Sequence, residues 1–255
     1  MKKILLFAFV LISIQTSFGQ RKKIAVISIS VNKLINTESL SKGLTNVESE
    51  RLQNDMQAAL SSPAFDFTNI LRQVHTNIFT ELKAVFPFDL ADETLVLDNP
   101  EYKGFSNTVD VGKNMLPFVA APGYKYVFQD FGDRFSEKSD LNRIIAIFSG
   151  KFDGFLLITQ DFLFKGGLSY AGNGFTNLAT RINFSLYDSS GRTLYNYTEG
   201  ENSGNKVVIL QGIPLIGDVE QTLGHCSQAT DNTLKQIAKN VAKQSEKIEK
   251  RLNKN

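Results

Sequence analysis

The sequence predicts an α/β (α+β) protein: a single domain with a mixed or mainly antiparallel sheet, helices packed on one side of it, and a C-terminal amphipathic helix closing the chain. Three observations carry this expectation. The β-branched run Lys23-Ile24-Ala25-Val26-Ile27-Ser28-Ile29-Ser30-Val31 alternates like a strand. Between residues 155 and 198, three strand-like segments follow one another, separated by turn-forming residues. From about Asp231 onward, Leu234, Ile237, Ala238, Val241, Ile248 and Leu252 recur at helical spacing on one face.

The chain opens on a segment of a different kind. Lys2 and Lys3 precede an apolar run from Ile4 to Ile14, and Ser17-Phe18-Gly19 places small residues where signal peptidase cuts. Residues 1–19 are therefore expected to be a cleaved signal peptide, because an apolar stretch of roughly 11 residues falls short of the roughly 17–25 that span a bilayer. Gln20 stands where a lipoprotein would carry cysteine, which argues against a lipid anchor. Export would place the protein in the periplasm, at the outer membrane or outside the cell. The single cysteine, Cys226, cannot form a bridge within the chain there, so residues 20–255 must hold together by their core. Phenylalanine, present twenty times in a chain without tryptophan, is the expected core filler.

The elements follow in order after the opening strand. Residues 36–50 are polar, Glu50 to Leu60 is a short helical candidate, and Ser61-Ser62-Pro63 is a break. Asp66 or Thr68 is a candidate cap for a helix with Ile70, Leu71, Val74, Ile78, Leu82 and Val85 on one stripe, ended by Pro87. His75 borders that stripe and reads as half-covered by packing. Residues 87–136 form an irregular, insertion-like segment, either folded over the core or serving as a binding loop. Within it, Thr94 to Leu97 and Tyr124 to Phe128 are strand candidates, and Asp98-Asn99-Pro100 is a turn.

Regularity returns at Ser139, a plausible N-cap for a helix that carries Leu141, Ile144, Ile145 and Phe148 on one face and stops at Gly150. Phe155 to Phe164 reads as a long strand, residues 166–174 as a glycine-rich loop, and Leu178 to Tyr187 as a strand with one wet face. Asp188-Ser189-Ser190-Gly191 is a turn into a third strand, Thr193 to Thr198. The next apolar segment, residues 207–217, is cut by Gly212, Pro214 and Gly217. It is either a core strand with its turn or an exposed loop that touches a partner or a membrane surface. Ile209, Leu210, Ile213, Leu215 and Ile216 are its candidate contact residues, and the loop 166–174 is a second candidate.

Composition and motifs exclude several functions. The chain has 28 basic and 26 acidic residues, and loss of Lys2 and Lys3 leaves 26 of each. The mature protein is then neutral, with a basic last helix whose lysines read as its solvated side. That balance gives no reason to expect nucleic acid as a partner. His75 and His225 are the only histidines, and no paired-cysteine or HExxH spacing exists, so neither a metal site nor a cofactor is expected. Gly167-Leu168-Ser169-Tyr170-Ala171 lacks the closing glycine of a nucleophile elbow, and no phosphate-binding glycine loop is present. Asp98 to Gly104 fails the calcium-loop pattern, with proline at its third position. Asp153 and Asp161 read as surface carboxylates rather than an acid/base pair, and the adjacency of His225 and Cys226 does not align them for proton transfer.

Three stretches carry a family resemblance. Lys23-Ile24-Ala25-Val26, Phe152-Asp153-Gly154-Phe155-Leu156-Leu157 and the hairpin Asn183 to Tyr195 resemble, respectively, the opening strand, the helix-to-strand passage and the turn of a group of bacterial envelope domains. The group comprises the periplasmic domains of the curli secretion-channel protein, the outer-membrane activators of penicillin-binding proteins and the N-terminal domain of the Tol system's propeller protein. The likeness covers residues 23–31 and about 139–255. It implies an α/β envelope domain that binds other envelope components without catalysing a reaction. The expected function is accordingly a non-enzymatic exported protein that binds or helps assemble an envelope protein or polymer, with peripheral membrane contact as a further possibility. Two other classes stay open: an oligomeric secretion or channel subunit, for which only the hairpins of 155–198 are long enough, and an enzyme with an unrecognised site.

Overall fold

The computed structural model describes residues 21–37, 40, 46–60, 62–108, 118–128, 139–170, 173–211, 213–216 and 218–253. The expected signal peptide, residues 1–19, lies outside them. Strand β1 (Lys23–Asn36) is followed by helix α1 (Asn46–Leu60) and then by α2 (Thr68–Asn77), which widens into a π turn (Ile78–Leu82) before a last α turn (Lys83–Val85). Short elements come next: β2 (Asp89–Leu90), α3 (Thr94–Leu97), α4 (Pro100–Lys103) and β3 (Phe118–Ala120). Helix α5 (Asp140–Ile147) leads into the long strands β4 (Gly154–Tyr170), β5 (Asn173–Asp188) and β6 (Thr193–Leu210). The two-residue β7 (Ile213–Pro214) and helix α6 (Val219–Leu252) complete the chain.

The seven strands form one mixed sheet in the order β2-β1-β4-β5-β6-β7, with β3 also pairing β1. Strand β1 runs parallel to β2 and β4, and the meander from β4 to β7 is antiparallel. This is the α/β class the sequence predicts, with the C-terminal helix in place.

Local chemistry explains the junctions. The carboxylate of Asp153 accepts the Lys23 N–H at 2.7 Å while the Asp153 N–H donates to the Lys23 carbonyl at 2.9 Å, which locks the starts of β1 and β4 side by side. Gly154 follows because a Cβ there would lie 2.5 Å from the Tyr187 carbonyl oxygen of β5. Ser139 caps α5 by accepting the Asn142 N–H, and Gly150 ends that region at φ 73°, as the sequence suggests.

Helices cover both faces of the sheet, not one. On the first face α1, α2 and α6 bury the large core, including Val26, Ile29, Leu156, Ile158, Phe162, Phe184 and Leu186. On the second face α3, α4, α5 and the following loops bury a smaller core around Ile27, Phe155, Leu157, Tyr187, Tyr102 and Phe148. The short helices of 87–136 make part of that second layer, so the part of the segment that is described here is packed against the core.

Several boundaries differ from expectation. Thr94–Leu97 is a helical turn, because Asp92 accepts the Thr94 N–H at 3.0 Å and bends the chain before β pairing can begin. Tyr124 to Phe128 runs irregularly, held by the Lys125 N–H donating to the Tyr102 hydroxyl at 2.9 Å. Most of the loop expected at 166–174 belongs to β4 and β5 instead. A bulge with Gly166 at φ 69° absorbs the glycines, and the Thr176 hydroxyl donates to the Gly166 carbonyl at 2.8 Å. Helix α6 begins twelve residues before the expected start, capped by Asp218, so His225 and Cys226 lie inside a helix and are buried.

Candidate functional site

Three regions combine chemistry with access. The first joins α2 to α3. His75 Nε2 lies 2.9 Å from both Glu93 oxygens, each side chain a little under one-third exposed, with the rings of Phe79 and Tyr124 at 5.0 and 6.0 Å. Burial, with the nearby Glu93 carboxylate, pushes the Tyr124 phenol above its ordinary range, so it stays protonated. The half-covered histidine expected from the sequence is therefore hydrogen-bonded to Glu93, a clamp between two elements. The thiol of Cys226 is remote from such chemistry, fully buried in the main core and pushed upward by that burial.

The second region is an open depression of about 500 Å³ between α4 and α5, lined by Glu101, Phe105, Ser106 and Arg143 among others. Its one cation is committed inward. Arg143 lies 3.0 Å from the buried Asp140 carboxylate, donates to the Ser106 carbonyl at 3.1 Å and stacks 4.9 Å over the Phe105 ring. Asp140 also accepts the Thr108 N–H at 2.9 Å, so the cluster fastens the 105–108 loop to α5.

Asp153 and Asp161, weighed above as an acid/base pair, are apart in the structure. Asp153 serves Lys22 and the β1 backbone, and Asp161 pairs Arg181 at 3.3 Å on the open sheet face. Among the described residues no three His, Cys, Asp or Glu side chains gather as metal ligands, and no helix is long and apolar enough to cross a membrane.

The third region is the far end of the meander, where β4, β5, β6 and β7 run on together. Its inward face is closed: Phe164, Leu178, Val207 and Ile216 are buried in the main core, and Ile209 is buried beside them in sequence. Its outward face is not. Phe175 pairs in register with Val208, and the Leu215 N–H donates to the Val208 carbonyl at 2.8 Å, so these three residues form one row across the sheet. Leu210 lies beside the row, opposite Ile213. Phe175, Leu210 and Leu215 are each about half exposed (48%, 48% and 53%), and Val208 is 38% exposed. Exposed apolar groups clustered in this way mark a contact surface more often than scattered ones do.

The structure thus divides the sequence-predicted contact set. Leu210 and Leu215 are on the surface. Ile213 is half-buried against the core, and Ile209 and Ile216 are buried, which removes both as contacts. The segment is at once the core strand and the exposed turn, because alternation sends Val207 and Ile209 inward and Val208 and Leu210 outward. Phe175 and Val208 were missing from that set. Phe175 has the outward phase of the β5 alternation, a signal concealed by treating 166–174 as a loop.

No family model matches the chain, and no curated relative does. Among solved structures, the chain is similar to a neuraminyllactose-binding hemagglutinin homolog from Helicobacter pylori. The TM-score is 0.35 with 8% identity, over 93% of this chain and 96% of that one. A superposition this loose carries no argument about ligand or partner.

Proposed function

We propose that the protein is an exported, non-enzymatic constituent of the cell envelope that binds or helps assemble other envelope components, using the far end of the β4–β7 meander as its contact surface. The observation that carries this reading is the apolar set Phe175, Val208, Leu210 and Leu215, which lies together on one sheet face and which no described helix covers. Two further points support it. The groups with acid/base potential are engaged in fastening elements together, His75 with Glu93 and Asp140 with Arg143. The three stretches that resemble envelope domains hold the scaffold: Asp153 and Gly154 align β1 with β4, and the Asp188 turn closes the β5–β6 hairpin.

The buried native thiol makes a direct test possible. Leu215→Cys in the full chain introduces an exposed cysteine while Cys226 stays shielded, so a thiol-directed photo-crosslinker attaches at position 215 alone. Adducts are expected in the native envelope from position 215 and not from Ser189→Cys, a control on the exposed turn at the opposite end. Equal labelling from the two positions, or none from 215, would overturn the reading.

A further inference from the structure

We infer that the end of the meander docks on an anionic phospholipid surface, its apolar row entering the interface and a lysine row behind it meeting the headgroups. The inference rests on the contact-surface reading above and names the occupant.

The geometry begins with register. Lys165 of β4 pairs with Asn177 of β5, and Asn177 pairs with Lys206 of β6. All three lie on the outward face, two residues along β5 from Phe175. The lysine row therefore sits about 7 Å behind the apolar row, at about 3.3 Å per strand residue. Amphipathic elements in the membrane interface bury their apolar side by about 5–10 Å, which places ammonium groups so spaced at headgroup level. Lys206 Nζ lies 5.6 Å from the Phe175 ring centroid, so this ammonium leans forward over the apolar row, and the length of its stem lets it swing back to headgroup level when the row is immersed. Lys165 and Lys206 are both exposed.

Charge selects the occupant. The described residues of 162–180 and 202–216, which build this end of the sheet, include no aspartate or glutamate, and their only cations are Lys165 and Lys206. In a chain with 26 acidic residues this is a cleared zone. Carboxylates resume at Asp161, held by Arg181, at Glu199 and Glu201 further back along β6, and at Asp218 and Glu220 at the start of α6. A second copy of the chain fits poorly, because a two-fold contact between identical patches would bring like lysine rows together. A partner adding a strand also fits poorly, since the last strand is two residues long and one of them is Pro214, which has no N–H to offer.

The test is flotation of the purified full chain with vesicles of phosphatidylcholine alone or mixed with phosphatidylglycerol. Binding is expected to the anionic vesicles, with little to the neutral ones, and to weaken as salt rises. Lys165→Gln and Lys206→Gln should each weaken it roughly fivefold, the effect of one basic residue at an anionic surface. Leu210→Ser with Leu215→Ser should abolish it while the thermal melt stays in place. Absence of binding to anionic vesicles, or binding that neither pair of changes alters, would overturn the inference. If Leu215→Cys crosslinks to an envelope protein and the chain ignores vesicles, this inference falls and the contact-surface reading stands. If crosslinks and vesicle binding both fail, both fall. A sedimentation dimer dissolved by the leucine changes would make the occupant a second copy and also overturn it.

Discussion

The β4–β5–β6 meander has two ends built from the same alternating pattern, and they meet opposite fates. Where β4 begins and β5 ends, Leu156 and Leu186 pack beneath the α1–α2–α6 layer while Phe155, Leu157 and Tyr187 on the other face pack beneath α5 and its neighbours. At the far end Phe164 and Leu178 are just as deeply buried on the inward face, yet Phe175 and Val208 on the outward face stand bare. Strands that are apolar on both sides need two covering layers. The chain supplies the second layer at one end, from α3, α4 and α5, and among the described residues supplies none at the other. Apolar character on an outward face is therefore a packing feature in one place and a surface in the other, and only the position of the short helices separates them.

The strongest way to break this contrast is to damage the second layer. Phe148 is fully buried, with the rings of Tyr102, Phe152 and Phe155 at 5.8, 5.8 and 6.4 Å. Phe148→Ala should cost about 3–5 kcal/mol, the transfer and cavity cost of a buried aromatic. Urea unfolding would read this as a lower midpoint. A cost below about 1 kcal/mol would mean that the second layer adds little to the fold. The two ends would then differ less than their burial suggests.

The turn at the covered end offers a second, pH-dependent test. Burial alone would raise the Asp188 carboxyl, but hydrogen bonds from the Ser190 hydroxyl and N–H and from the Arg192 N–H and guanidinium outweigh it and hold the group below its usual range. A depressed carboxylate contributes stability that is complete above its unfolded value, about 4, and is lost as pH falls through the lower folded value. Asp188→Asn should therefore cost about 2 kcal/mol near neutral pH, the scale of charge-assisted hydrogen bonds. The gap to the wild type should close as both are taken into acid. Melting temperatures of the two proteins across the acid range check this, and a gap independent of pH would show that the charge is not what holds the turn.

Legibility in the sequence followed how local the cause was. The Ser139 cap, the Gly150 stop and the Asp188-Ser189-Ser190-Gly191 turn were readable because each is decided within four residues. Thr94–Leu97 looked like a strand by its residue types, but Asp92, two residues upstream, commits it to a helical turn. The start of α6 is hard to read because the stripe of residues 219–230, Val219, Leu223, Cys226 and Ala229, is thin and interleaved with the buried polar Thr222, His225 and Thr230. Part of this stretch packs on a polar patch, in which Gln160 Nε2 donates to Thr180 at 3.1 Å and to Thr230 at 2.6 Å. That contact joins residues 70 apart in the chain, and no local window contains it. Helix α5 is legible as a helix, but its place on the face opposite α1, α2 and α6 rests on contacts equally distant in the chain. Of the candidate surface, Leu210 and Leu215 were legible as apolar residues beside turn formers. Phe175 and Val208 became visible only once β5 and β6 were known to run past the glycines in register.

The finest test lies within residues 207–217, where neighbouring side chains differ only in the face they take. Leu210→Ser together with Leu215→Ser should shift stability by no more than about 0.5 kcal/mol, because both side chains are already about half in water and neither is in the buried core. Ile209→Ser, one residue from Leu210 but 4% exposed, should cost roughly 2–5 kcal/mol, the range for emptying a buried aliphatic site. Chemical denaturation of the two variants reads the difference directly. Comparable losses would mean that the outward leucines support the fold, and the bare end of the meander would then be a thin second layer rather than a surface. A large loss from Ile209→Ser alone would show that alternation is maintained up to the tip of β6. Leu210 and Leu215 would then be apolar for a reason other than folding.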